Sequence, residues 1–226
     1  DLQFEDNACV CVVLASDGYP VKYEKGFKIT GFEKFDGKDD YEVMSVDDMH
    51  LFGNHNYENV MAAIAMTIEA GVPLNIIINV IKDFMGVEHR IEYVRDKNGV
   101  RYYNDSKGTN PDSSIKALEA MSRPTILIAG GYDKHSEFDE FIEAFDNKVK
   151  LMVLLGQTAD KIEETAVRHG FTNIIKTDSL EKAVKICAEN AVSGDVVLLS
   201  PACASWGMFK NYEERGKLFK EYVNSL

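Results

Sequence analysis

Long apolar runs are missing from this chain of 226 residues. None reaches the roughly 18 residues that a membrane-crossing helix needs, so no membrane partner is expected. No basic segment followed by an apolar stretch opens the chain, so no secretory leader is expected. Met is missing from the first position, where Asp1 stands, which predicts an upstream part. Cysteine is sparse: only Cys9, Cys11, Cys187 and Cys203 occur, with no C-x-x-C pair and no His at zinc-finger spacing. These read as buried free thiols in a reducing compartment, so a cytoplasmic setting is expected. The five His residues form no H-E-x-x-H pattern, and no metal ligands are assigned. A phosphate-cradling G-x-x-x-x-G-K-[ST] loop is also absent; the stretch Gly130 to Ser136 does not make one. There are no internal repeats and no low-complexity tract. Positive charge is in deficit: the net charge is −12. Such a surface repels a phosphate backbone, so nucleic acid is not expected as a partner. Small anions remain open, because a few local Lys and Arg can bind them inside an acidic protein.

What is present is an alternation. From Tyr93 onward, apolar runs suited to buried strands occur at Val100–Tyr103, Thr125–Ala129, Leu151–Leu155, Asn173–Lys176 and Val196–Leu199. Helical spacing separates them at Pro111–Met121, Thr158–His169, Leu180–Ala191 and Tyr212–Val223. This predicts an α/β fold with a Rossmann-like, mostly parallel sheet covered by helices on both faces. Asn98-Gly99, between Tyr93–Arg95 and Val100–Tyr103, predicts a tight hairpin and one antiparallel start. Upstream, helices are expected at Tyr57–Ala70, stopped by Gly71 and Pro73, and at Leu74–Phe84. Residues 1–50 differ. Strand-like runs at Cys9–Leu14, Phe27–Thr30 and Tyr41–Val46 are broken by Asp17-Gly18, Lys25-Gly26 and Asp36-Gly37. The organisation is therefore read as an irregular β-rich segment at 1–50, a helical stretch at 51–87 and an α/β domain at 88–226.

Several strings can carry chemistry. Asn104 to Pro111 joins a strand end to a helix start, with Asn110 suited to N-cap and Pro111 to the first helical position. Ligands in such sheets bind beyond the carboxyl ends of the strands, and helix N-termini there offer free N–H groups to anions. Lys107 adds a cation; Ser106 and Thr109 add hydroxyls. A polar capped turn explains the same residues equally well. Gly130-Gly131-Tyr132-Asp133-Lys134 follows the next strand and would bring Lys134 to the same rim, although a tight turn with a solvated Lys is the plainer reading. Ser200 to Trp206 follows a third strand. Ser205 can donate there; no base is identifiable for Cys203 as a nucleophile, and Trp206 is expected to pack. Arg90, after His89, suits phosphate, though a lone Arg is usually solvated. Asn56 is explained by helix capping. Three strand ends converging on one rim suggest an anion-recognising cleft without naming a reaction.

Taken together, these strings resemble one family. Phe52 to Asn59, Gly86 to Arg90, the Asn104–Asn110 run, Gly130–Lys134, Leu198 to Tyr212 and Glu213 to Gly216 are similar, in order and spacing, to the Mur ligases, and specifically to their D-glutamate-adding branch. The resemblance runs from about Tyr41 to Leu226. It implies ATP-dependent ligation of D-glutamate to UDP-N-acetylmuramoyl-L-alanine in peptidoglycan precursor synthesis, with ATP and Mg2+ as cofactors. By position, it implies that Lys134, Thr109, Ser205 and Tyr212 contact D-glutamate, the last through its backbone. Asn56, Asn59, Arg90, Asp105, Ser106 and Lys107 would lie around ATP, with Arg90 and Lys107 in catalytic positions. The family's phosphate loop, its magnesium ligands and its UDP-binding domain have no counterpart here, which predicts a chain inactive alone. A non-catalytic module binding D-glutamate or nucleotide, or a chimeric fragment, is the alternative. Residues 6–38 instead resemble a late segment of phosphoribosylamine–glycine ligase. A folylpolyglutamate synthase fits the fold but not the Asn104–Asn110 string.

Overall fold

The structure is a computed structural model that describes residues 44–51 and 53–226. The expected strands Cys9–Leu14 and Phe27–Thr30 lie outside the described residues, as does the start of Tyr41–Val46. The end of that last run is not a strand: Val46–Asp48 forms a 3-10 turn, closed by the Ser45 hydroxyl accepting from the Asp47 amide at 3.2 Å.

Two helices follow, α1 (Asn54–Glu69) and α2 (Leu74–Asp83). The N-cap of α1 is Gly53, with φ 92°, and not Asn56, which stands in the first turn. The capping explanation of Asn56 is therefore corrected. Gly71, at φ 82°, turns the chain between the helices as expected.

The remainder is a six-stranded sheet in the order β1-β2-β6-β3-β4-β5. Its strands are β1 (Glu92–Lys97), β2 (Val100–Asn104), β3 (Thr125–Ala129), β4 (Val149–Leu154), β5 (Ile174–Lys176) and β6 (Val196–Leu199). Only β1 runs antiparallel; the other pairings are parallel. Asn98 and Gly99 both have positive φ, 55° and 79°, the backbone that a two-residue hairpin turn of matching twist demands. The chain connects these strands through α3 (Pro111–Ala120), α4 (Asp139–Glu143), α5 (Ala159–Arg168) and α6 (Leu180–Asn190), and closes with α7 (Tyr212–Ser225).

The buried strands are apolar on both faces because both faces are covered. Leu127 and Ala129 of β3 look to one side, where Leu118 of α3, Phe141 of α4 and Ile162 of α5 complete the core. Ile126 and Ile128 look to the other, against Val184 and Cys187 of α6 and Phe219 and Val223 of α7. Cys187 and Cys203 are free and buried. Between β2 and β3 lies the slot that β6 fills last, so the carboxyl ends of β2, β6 and β3 open side by side. A crevice beyond such strand ends is where ligands of open α/β sheets bind.

Candidate functional site

Asn104 ends β2, and its side chain starts the site. Its oxygen accepts from the Ser106 amide at 3.1 Å, while its amide nitrogen reaches His89 Nδ1 and Glu92 Oε2, each at 3.0 Å. His89 has φ 66° and Ile91 has φ 46°. For a β-branched residue such a φ is costly, about 1–3 kcal/mol, and persists only where the surroundings fix it. They do so here. The Lys107 amide donates to the His89 carbonyl at 3.0 Å, and the Ile91 amide donates to Asp105 Oδ1 at 3.2 Å. Arg90, between the two bent residues, is left exposed.

Asp105 is 4% exposed, and both its oxygens are engaged within the protein: Oδ1 by Ile91 and Oδ2 by the Ser200 hydroxyl at 2.7 Å. Burial pushes its carboxyl up to about 7; the Ser200 and Ile91 hydrogen bonds and the charges of Arg90 and Arg215 only partly offset this. Ser200 also lies 2.8 Å from Ser114 of α3, whose oxygen accepts from the Ala202 amide at 2.9 Å. The loops after β2 and β6 are thus joined by small buried hydroxyls.

Arg215 is the fastener on the other side. It is 2% exposed, and it donates to Ser106 Oγ at 3.0 Å, to the Ser106 carbonyl at 2.8 Å and to the Cys203 carbonyl at 3.1 Å. Burial lowers its pKa to about 10, so it stays protonated at neutral pH. The Ser106 hydroxyl donates onward to the Tyr212 carbonyl at 2.8 Å, which locks the first turn of α7 onto the loop. One guanidinium therefore ties the β2 loop, the β6 loop and α7 together.

The β3 loop joins through its glycines. Gly130 donates to the Pro201 carbonyl at 2.8 Å, and the Tyr132 amide to the Ala204 carbonyl at 2.9 Å. A Cβ on Gly131 would lie 2.3 Å from the Ala204 carbonyl oxygen, so only glycine permits this approach. Thr158, after β4, receives the Gly131 amide at 3.0 Å and lies 3.3 Å from the Cys203 sulfur. Burial raises that thiol to about 11, which keeps it protonated and inert at neutral pH. Lys134 at the end of this loop is exposed, with its ammonium 5.0 Å from the centre of the Trp206 ring. Lys107 lies 5.8 Å from the centre of the Tyr212 ring.

Comparison with known proteins decides the family. Residues 89–203 match the Mur ligase glutamate ligase domain. The chain belongs to the Mur ligase family. A UDP-N-acetylmuramoylalanine–D-glutamate ligase of Lachnospira eligens is 65% identical over 191 residues, covering 84% of this chain and 42% of the relative. The enzyme of the same name in Lachnoclostridium phytofermentans is 59% identical over 184 residues, covering 81% of this chain and 40% of the relative. The chain thus spans about two fifths of the length of these curated relatives. Among solved structures, a UDP-N-acetylmuramate-alanine ligase from Thermotoga maritima shares the fold, with TM-score 0.60 and 17% identity over 78% of this chain and 39% of that one.

In this Mur ligase domain, the Thr109 amide donates to the Lys107 carbonyl at 2.9 Å and Lys107 stands beside Tyr212, while Lys134 stands beside Trp206, the chain neighbour of Ser205. Ser106 and Asp105 were expected around a nucleotide. Both are buried and hydrogen-bonded within the loops around them. Asn56 and Asn59 sit three residues apart in the first turns of α1, the one half-buried and the other exposed. Trp206, expected to pack, is 54% exposed.

Magnesium does not fit the described residues. Each Asp105 oxygen already accepts a hydrogen bond inside the protein. Glu88, His89 and Glu92 come close enough to share an ion, but the Lys220 ammonium already holds both carboxylates, at 2.7 and 2.9 Å.

Sequence reasoning gave no role to Arg215, although a signal existed. Arg215, Phe219 and Val223 follow at i, i+4 and i+8, so the guanidinium rides the stripe of α7 that packs on the sheet. Ser114 and Thr158 gave no such signal, because their partners lie 86 and 45 residues away.

Proposed function

We propose that this chain supplies the D-glutamate side of an ATP-dependent ligase that joins D-glutamate to UDP-N-acetylmuramoyl-L-alanine in peptidoglycan precursor synthesis. The observation that carries this reading is the rim. Lys107 and Lys134 both stand over aromatic rings, and neither is in an ion pair with a described residue, in a protein of net charge −12. Ammonium groups left without carboxylates are suited to anionic ligands. The name carried by relatives at 65% and 59% identity supports the substrate.

In this reading the muramoyl-peptide carboxylate takes the γ-phosphoryl group of ATP, giving an acyl phosphate and ADP. The D-glutamate amine then attacks the acyl carbon, and phosphate leaves. Lys134, Thr109, Ser205 and the Tyr212 backbone orient D-glutamate. Arg90 and Lys107 face the crowded phosphate oxygens, whose charge such sites stabilise electrostatically. Asn56 and Asn59 serve the nucleotide from α1, which with α2 forms the end of the ATP-handling part. The reduced thiols Cys187 and Cys203 support a cytoplasmic setting.

The missing G-x-x-x-x-G-K-[ST] loop favours binding without turnover by this chain alone. Equilibrium dialysis against labelled D-glutamate, L-glutamate and glycine tests the substrate, and ADP release with all substrates tests turnover. We expect retention of D-glutamate above both other amino acids and no ADP release. Equal retention of the three would contradict the substrate assignment, and ADP release would contradict the division of labour.

A further inference from the structure

The exposure of Trp206 needs a reason. The four residues before it, Ala202 to Ser205, are all buried, yet the indole is 54% exposed. Burying it would stabilise the fold; instead it stands at the rim with Tyr132, which is 40% exposed, their ring centres 5.4 Å apart and tilted by 59°. Across the Trp206 face lies the Lys134 ammonium, 5.0 Å from the ring centre. The hydrogen bond from the Tyr132 amide to the Ala204 carbonyl fastens the two loops that carry these groups.

Two other lysines near this end of the sheet take carboxylates. Lys161 pairs with Asp133 at 3.9 Å, and Lys176 with Asp160 at 2.9 Å. A carboxylate partner neutralises an ammonium and competes with any anionic ligand. A ring face attracts the ammonium without neutralising it. We propose that Trp206 is a positioning residue, a stage that holds the Lys134 ammonium at the rim still charged and hands it to a carboxylate of the amino-acid substrate. This rests on the proposed D-glutamate site and deepens it. Tyr132 supports the indole from the side.

Trp206 is the only tryptophan in the chain, so its emission reports this contact alone. The test uses the full 226-residue chain. D-glutamate is titrated into it with heat and indole emission both recorded, and calorimetry is repeated on Trp206→Leu and Trp206→Phe. The expected result has three parts: the emission of the parent changes with the same midpoint as the heat; Trp206→Leu weakens binding by about two- to fivefold, the range of an exposed cation–π contact; and Trp206→Phe, which keeps a ring face, recovers part of the loss. Lys134→Met should shift the ligand-free emission and abolish its response. Heat in the parent with unchanged emission, or with equal affinity in Trp206→Leu, overturns the positioning role and leaves the D-glutamate site standing. No heat in a folded parent overturns both.

Discussion

Asp105 sits where ionisation is opposed. Its folded pKa of about 7 lies above the ordinary carboxyl value of 3.8 that the unfolded chain would show. Between these values the folded state keeps a proton that the unfolded state has lost. Asp105 therefore contributes its full stability below about pH 4, and that contribution disappears as pH rises through about 7. At stake is on the order of a few kcal/mol. His89 works in the opposite sense, because burial holds its imidazole below the usual value and favours the neutral ring. A comparison of variants separates the two. Asp105→Asn keeps the shape and the acceptor for Ile91, so urea-denaturation stability relative to the parent should rise steadily from pH 4 to pH 7. A constant difference across that range would show that Asp105 is ionised throughout. The sequence placed Asp105 correctly on the loop after β2 but not inside it. Burial depends on Ile91 and Ser200, which stand 14 and 95 residues away.

Among the elements, α7 carries most of the arrangement. Its N-cap Asn211 accepts from the Glu214 amide at 2.8 Å, and Arg215, Gly216, Phe219 and Val223 are buried against β1, β2 and the site loops. Gly216 admits the His89 ring: a Cβ there would lie 2.3 Å from His89 Nδ1. Gly216→Ala should therefore cost about 1–3 kcal/mol, as overpacking in a full interior does. A urea midpoint equal to that of the parent would mean that the His89 bend is softer than its hydrogen bonds suggest. The helix itself was legible in the sequence, as were α3, α5 and α6, each to within about two residues at either end, a normal margin for helix termini. The five-residue α4 was not, because little more than one turn shows no period; Phe141 and Phe145, 5.4 Å apart, mark it only once folded. Trp206 was misread for a related reason. Apolar character argues for burial, and nothing local to Ala204-Ser205-Trp206 announces that its partners would be Tyr132 and Lys134.

Across the molecule, the order of the sheet makes the site. Because β6 enters last, between β2 and β3, three loops distant in the chain meet at one rim, and Arg215 pins two of them. The alternation of strands and helices announced the parallel sheet, but the insertion of β6 could not be read from alternation alone, since many strand orders share it. The joining of the loops that carry Lys107 and Lys134 depends on that strand order and not on the alternation. α1 and α2 make a different impression: Ile76, Val80 and Phe84 of this helical pair are exposed apolar side chains, and Ile77 alone of α2 is buried. The sheet domain should recognise D-glutamate through Lys134. The direct measurement is calorimetric titration of D-glutamate into the parent chain and into Lys134→Ala, both shown to be folded by circular dichroism. The account predicts saturable heat in the parent and its loss in the variant. Equal heat in the two, or none in the parent, would contradict it.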